Sequence, residues 1–399
     1  MVLHQARTDS SQDSSSVDGR ARVSGVDAAR GIALLGMMWV HIIPAVDESG
    51  RTSTAYLLAS GRASALFAVL AGVGLALATG GRHPYQDGRL MLRRSGLVAR
   101  ASLLALVGLT LGAVDTPVAI ILVYYALLFV CALPFLSLGA RALVPLALGW
   151  SLLAPVLSHV VRSSLDESGG GNPTFGTLTD PQGLLTELFL TGYYPVLPWM
   201  AYLLAGLAVG RLALDSPRVA AGLLVGGAGL AVLSKAASWA LLYPAGGLDR
   251  IVGSPALERR LSTSLGGTTP TTSWWWLAVS GPHSGTPLDL LHTIGTAVAM
   301  LGACLLVARR AAPLLRPLIA AGSMTLTLYS SHVVALGAAG DSADRAALLT
   351  IHIAVAVAFA LLWRARHRRG PLETVVSATE RSIRTLWARR SRSPSRLER

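Results

Sequence analysis

Long apolar runs, punctuated by short clusters of arginine, glycine and proline, occupy the chain from residue 25 to residue 363. Apolar residues follow one another there without the alternation of a half-buried strand or a membrane barrel, so the runs read as helices. A helix needs about 20 apolar residues to cross about 30 Å of hydrocarbon, where only helices and closed barrels satisfy their own backbone. The pattern predicts about ten spans, near 28–46, 56–79, 97–114, 117–136, 140–161, 190–210, 219–243, 288–308, 314–337 and 346–363. The expected fold class is all-α, a polytopic transmembrane helix bundle.

Arginine placement orients this bundle. The loop 80–96 carries Arg82, Arg89, Arg93 and Arg94 against Asp87, the loop near 309–316 carries Arg309, Arg310 and Arg316, and the stretch after Trp363 is densely basic. Such loops stay on the cytoplasmic side. The alternate loops hold Asp47, Glu48, Asp166, Glu167, Asp180, Glu187, Asp341 and Asp344. An even number of spans then puts both termini in the cytoplasm. The longest outer loop, 244–287, is expected to form part of a cap over the site.

Composition narrows the picture further. With 52% hydrophobic and 14% charged residues, the chain is too apolar for an ordinary soluble core. The net charge of +13 would suit a nucleic acid, but the basic residues lie in tails and short loops, so no nucleic-acid partner is expected. Cys131 and Cys304 each sit inside an apolar run and read as packing residues, with no metal site and no permanently bound cofactor. Residues 1–24 are polar and serine-rich, expected as a disordered cytoplasmic tail rather than a signal peptide. Residues 364–399 read as a basic cytoplasmic tail touching anionic lipid, flanking a membrane domain over 25–363.

The first span holds the sharpest chemical signal. Arg30 and His41 are eleven positions apart, a net rotation of only about 20°, so they share one helix face about 16 Å apart along the axis. Arg30 then lies at the cytoplasmic interface and His41 in the outer half of the membrane, while Asp27, one turn before Arg30, is placed to pair with it. A histidine within a span is costly and therefore a functional candidate.

The pattern Asp27-x-x-Arg30-Gly31 followed by His41 resembles the first helix of the transmembrane acyltransferase superfamily. That group includes the acyltransferase-three proteins, with their Arg-x(10)-His signature, and the lysosomal heparan-α-glucosaminide N-acetyltransferase. Three further stretches are similar to its bacterial branch: Gly61 to Phe67 with Ala71 to Gly74, Tyr194 to Trp199 with Ala205, Gly206, Gly210 and Arg211, and Gly322 to Tyr329. The lysosomal enzyme places its active histidine in the stretch after the first helix. Residues 47–59 contain none here, so the candidate is His41.

The resemblance implies an integral enzyme of the bacterial plasma membrane that moves an acyl group, expected to be acetyl, from cytoplasmic acyl-CoA to a hydroxyl or amine of an extracytoplasmic glycan or glycolipid. The phosphates of CoA are expected at Arg30, Arg93 and Arg94, whose forked donors suit them. His41 would act as a base toward the acceptor, or carry the acyl group itself. His332, in an apolar run of the ninth span, is expected at similar depth and joins Asp27, Arg30 and His41 as a catalytic candidate. His159, His292 and His352 read as interfacial polar positions. Arg62, Tyr124, Tyr125, Trp199 and Tyr329 are candidate substrate-binding residues, and Trp274, Trp275 and Trp276 an interfacial aromatic group. Many spans with intramembrane Arg and His also suit a secondary transporter or flippase, though no internal repeat of the transporter kind is visible.

Overall fold

The computed structural model describes residues 24–165, 171–251, 253, 255–339 and 344–390. The amino-terminal tail to residue 23 and the acidic positions Asp166, Glu167 and Asp341 lie outside them. Among the described residues the regular structure is helical, with one isolated bridge between Val46 and Thr52.

In chain order the helices are α1 (Ser24–Ile42), α2 (Thr54–Ala59), α3 (Arg62–Ala78), α4 (Asp87–Gly112), α5 (Leu122–Cys131), α6 (Ala140–Arg162), α7 (Pro181–Thr186) and α8 (Val196–Gly210). They continue with α9 (Pro217–Leu242), α10 (Pro255–Thr263), α11 (Pro287–Ala311), α12 (Arg316–Gly322), α13 (Thr325–Ala339), α14 (Arg345–Arg366) and α15 (Pro371–Arg390). Among the described residues, six helical segments are long and apolar enough to cross a membrane, and up to eight if each of two bent pairs forms one span. The chain is a membrane protein. Two of the expected ten spans fall short by this measure: α5 stops after ten residues, where Pro134 begins a 3-10 turn, and Asp27, Arg30 and His41 dilute the apolar run of α1.

Helix α1 runs through the middle of the bundle against α3, α11, α12 and α14. Its buried Ala28, Ala29, Gly31 and Ala33 carry little or no side chain, so neighbouring backbones come close. A Cβ on Gly31 would strike the Leu318 carbonyl, and one on Gly322 the Asp27 carbonyl. Gly72 of α3 and Gly206 of α8 meet in the same manner, each closing on backbone of the other helix.

Two helix pairs among the described residues are sharply bent. The one ending in α8 bends by 55° after a π turn over Glu187–Thr191, and α12 bends by 82° into α13 at Ser323 and Met324. A break frees backbone N–H groups at the new helix start, and these need acceptors. Glu373 of α15 supplies them at α13: Oε1 accepts from Leu326 N (2.7 Å) and Thr327 N (3.2 Å), and Oε2 from Thr327 Oγ1 (2.6 Å). A carboxylate there also meets the positive end of the helix dipole. The stretch expected as a basic tail thus contains a helix packed on α4 and α13.

Arg211, just past α8, is 4% exposed and holds three segments together. It donates to the Ala76, Gly81, Leu136 and Leu138 carbonyls and to Thr79 Oγ1. The fork of a guanidinium reaches these acceptors at once, and an ammonium does not. Arg211→Ala is expected to cost about 3 kcal/mol or more, because buried carbonyls lose their donor, and Arg211→Lys to recover little of it. Thermal unfolding in detergent, followed by circular dichroism, measures both.

Candidate functional site

At the end of the bundle where α1 begins, a cavity of about 460 Å³ opens between α1, α3, α4, α5, α13 and α15. Its mouth is basic. Arg30, Arg93, Arg100, Arg369, Arg381 and Arg384 line it, against Glu373 and Glu380. Arg30 is held by Asp27 (Nη1 to Oδ1 3.3 Å) and by the Leu70 carbonyl (3.4 Å), so its guanidinium is fixed at the cavity wall. Deeper in, the lining turns to Met37, Phe67, Tyr125, Phe129 and Tyr329. The Tyr125 hydroxyl is buried there with no hydrogen-bond partner among the described residues.

One helical turn beyond the inner end of this cavity are the histidines. His41 follows Met37 by four positions on α1, and His332 follows Tyr329 by three on α13. His41 Nδ1 lies 3.2 Å from His332 Nε2, with the rings stacked at 5.4 Å between centroids. His332 Nδ1 lies 2.8 Å from His352 Nδ1 on α14, the rings edge to face. Three imidazoles thus form one hydrogen-bonded chain, with the buried His332 between the half-exposed His41 and His352. Because His332 uses both ring nitrogens, it donates through one and accepts through the other. With all rings neutral the chain has two directions: His41 donates outward and keeps a lone pair on Nε2, or His352 donates inward and His41 keeps a proton there. A proton taken up at one end is released at the other.

Not every residue expected together is together. The cavity collects Arg30, Arg93, Tyr125 and Tyr329, but Arg94 is not part of its wall. Tyr124 packs edge-on against Tyr194, and Trp199 lies in an aromatic cluster with Tyr194, Tyr202 and His283. Neither reaches the basic cavity, because α5 and α8 turn those faces toward each other. Arg62 begins α3 after a break at Gly61, donates to the Leu57 carbonyl, and lines a different cavity at the opposite end of the bundle. The aromatic triplet splits: Trp276 is buried, Arg250 sits over Trp275, and the exposed Trp274 rests on His159.

Sequence pattern does not single out Arg100, Arg369, Arg381 and Arg384, which it assigns to span or tail, nor His283. His283 lies in the loop before α11, over Trp199 and against Tyr193. It adopts φ 54°, a left-handed conformation in which histidine is one of the less disfavoured residues. Segment 244–287 carries it: Leu242, Ile251, Leu265, Trp276 and Val279 make a small core of their own there, and Ser262 and Thr263 are tied to Thr52 and Ser60.

Residues 22–241 match the family described as heparan-alpha-glucosaminide N-acetyltransferase, catalytic. The chain belongs to that family. Residues 260–381 match a second family, described as a protein of unknown function (DUF418). Comparison with curated proteins gave no match. The heparan-alpha-glucosaminide N-acetyltransferase match indicates acetyltransferase-like function at a membrane. It takes in Asp27, Arg30 and His41, while His332 and His352 come from the second matched region, so the histidine chain is built from both.

Burial, and secondarily the neighbouring His41, push the His283 pKa down from 6.5 to about 4. Between those values the unfolded chain binds a proton that the folded protein refuses, so stability is full above pH 6.5 and falls as pH is lowered toward 4. His283→Asn keeps a residue tolerant of positive φ and removes this contribution. Its melting temperature is expected to fall less than that of the parent between pH 7 and pH 5, as a thermal shift assay over that range reads.

Proposed function

We propose that the protein is a multi-pass plasma-membrane acyltransferase, with both termini cytoplasmic, that uses acyl-CoA from the cytoplasm and an extracytoplasmic hydroxyl or amine as acceptor. The observation that carries this reading is the cavity lined by arginines that reaches Met37, Tyr125 and Tyr329, one turn short of His41. Phosphates of CoA suit Arg30, Arg93 and Arg384 at the mouth, where charge-assisted pairs are strongest. The pantetheine arm suits the apolar, tyrosine-lined throat.

His41 then acts as the base. Its Nε2 accepts the proton of the acceptor hydroxyl while the oxygen attacks the thioester carbonyl; the C–O bond forms, the C–S bond breaks, and the CoA thiolate leaves. The thiolate then takes the Nε2 proton of His41 as the chain returns a proton inward from His352, so that acceptor and acyl-CoA become acylated acceptor and free CoA. The Nδ1 contact with His332 favours this role: as His41 takes a proton at Nε2 it passes one outward through His332 to His352, and no imidazolium is stranded in the bundle. Arg30 is prevented from drifting by Asp27, which makes Asp27 a positioning residue.

Titration of purified protein with CoA should give saturable binding. Arg93→Ala and Arg384→Ala are each expected to weaken it about tenfold, the loss of one charge-assisted pair. His41→Ala should keep the binding and lose thioester turnover, measured as free thiol released from acetyl-CoA. A folded parent protein that binds no CoA would sink the enzyme reading and leave a transporter or flippase.

A further inference from the structure

Two cavities lie at the other end of the bundle, and they meet. One, about 590 Å³, is polar and runs under the segment 244–287, where Ser60, Ser262, Glu258, Arg259, Ser280 and Asp289 line it. The other, about 930 Å³, is an apolar groove between α9 and α11, walled by Leu224, Ala228, Val232, Ala299, Met300 and Ala303. Arg62, Lys235 and His292 line both.

From this junction we infer that the chain binds a membrane lipid with one phosphate and a hydroxyl-bearing headgroup, taken in sideways, its hydrocarbon tail along α9 and α11. Four observations point to that chemistry. The groove follows α9 from Lys235 to Leu224, eleven residues or about 16 Å, which is the depth of one leaflet in a hydrocarbon layer of about 30 Å. Lys235 stands on the exposed, apolar face of α9 beside Val232 and Trp239, where an ammonium is costly without an anion, and its Nζ donates to the Ser280 carbonyl (2.7 Å) at the joining point. Arg62 adds a second cation there, and the Asp289 carboxylate, which accepts from Gly285 N (3.2 Å), offsets part of the charge of both. Two buried polar atoms on the cavity wall, His292 Nε2 and Ser280 Oγ, have no hydrogen-bond partner among the described residues.

The His292 ring is oriented by the fold. Its Nδ1 donates to the Ala231 carbonyl (2.9 Å), which leaves Nε2 with a lone pair at the junction. A headgroup hydroxyl satisfies that lone pair, and a phosphate satisfies Lys235 and Arg62. Pro282, on the polar cavity wall, precedes His283, which packs on Trp199 and Tyr193. Lipid binding stands without the acyltransferase reading, and only the fate of the bound lipid rests on it: the acceptor is then lipid-borne and reaches the site from within the bilayer.

The test uses full-length protein in detergent, without CoA, and native mass spectrometry with three probes: oleoyl lysophosphatidylglycerol, mono-oleoylglycerol and glycerol 3-phosphate. The first has tail, phosphate and hydroxyls; the others lack the phosphate or the tail. Saturable binding of the first is expected, at least tenfold weaker binding of the second, and none of the third. Lys235→Ala should weaken binding of the lysolipid about tenfold. Ala228→Trp, at an exposed groove position that a larger side chain does not disturb in the core, should block it. Equal binding of the first two probes, or parent-like binding by both variants, overturns the inference. CoA titration of the same two variants separates the claims: both should bind CoA as the parent does, and a parent that binds lysolipid but no CoA refutes the enzyme reading alone.

Discussion

A charge or an imidazole carried into an apolar bundle must find its partner inside the protein, because lipid offers none. Helix α1 takes three such groups through the middle of the molecule, and the packing around it answers each. Asp27 holds Arg30, and His41 meets His332. Asp27 reaches Arg30 along one turn of the same helix, while Gly31 lets the α12 backbone approach almost to contact and so keeps the surrounding helices tight. Small residues here are what make the polar chemistry possible.

The broken helices serve the same end. An unbroken α12 and α13 would carry Ser323 and Tyr329 past the cavity on a straight course; the 82° bend turns α13 so that Tyr329 faces the throat and His332 faces His41. The N–H groups exposed by the bend are satisfied by Glu373 from α15, which also brings Glu380, Arg381 and Arg384 to the cavity mouth. One carboxylate thereby couples the geometry of the histidine chain to the wall of the basic cavity. Disturbing α15 is a disturbance of both.

The two ends of the bundle differ in kind. Arginines line a polar cavity at one end, where a multiply charged, water-soluble molecule would be matched in charge. At the other, a polar cavity joins an apolar groove that opens sideways between α9 and α11. The histidines lie between them, as the proposed transfer from a soluble donor to a membrane-borne acceptor would require.

Much of the first helix is legible in the sequence, because helical periodicity alone decides that Asp27, Arg30 and His41 share a face. The apolar runs likewise declare a membrane helix bundle, since nothing else satisfies a backbone in lipid. Lys235 and His292 give no such signal: each lies within an apolar run, and which wall it faces depends on how α9 packs against α11. His352 reads as an interfacial position for the same reason, and Arg384 as part of a tail. Tyr124 and Trp199 carry the right chemistry, yet α5 and α8 turn them away from the basic cavity. Local pattern by itself determined the helices, the face of α1 and the membrane, because those depend on spacing and hydrophobicity along one chain. Tertiary structure decided where helices break, that three histidines from α1, α13 and α14 join, and that two cavities meet at Arg62 and Lys235, because those depend on contacts between separate helices, from 20 to 291 positions apart in the hydrogen-bonded histidines alone.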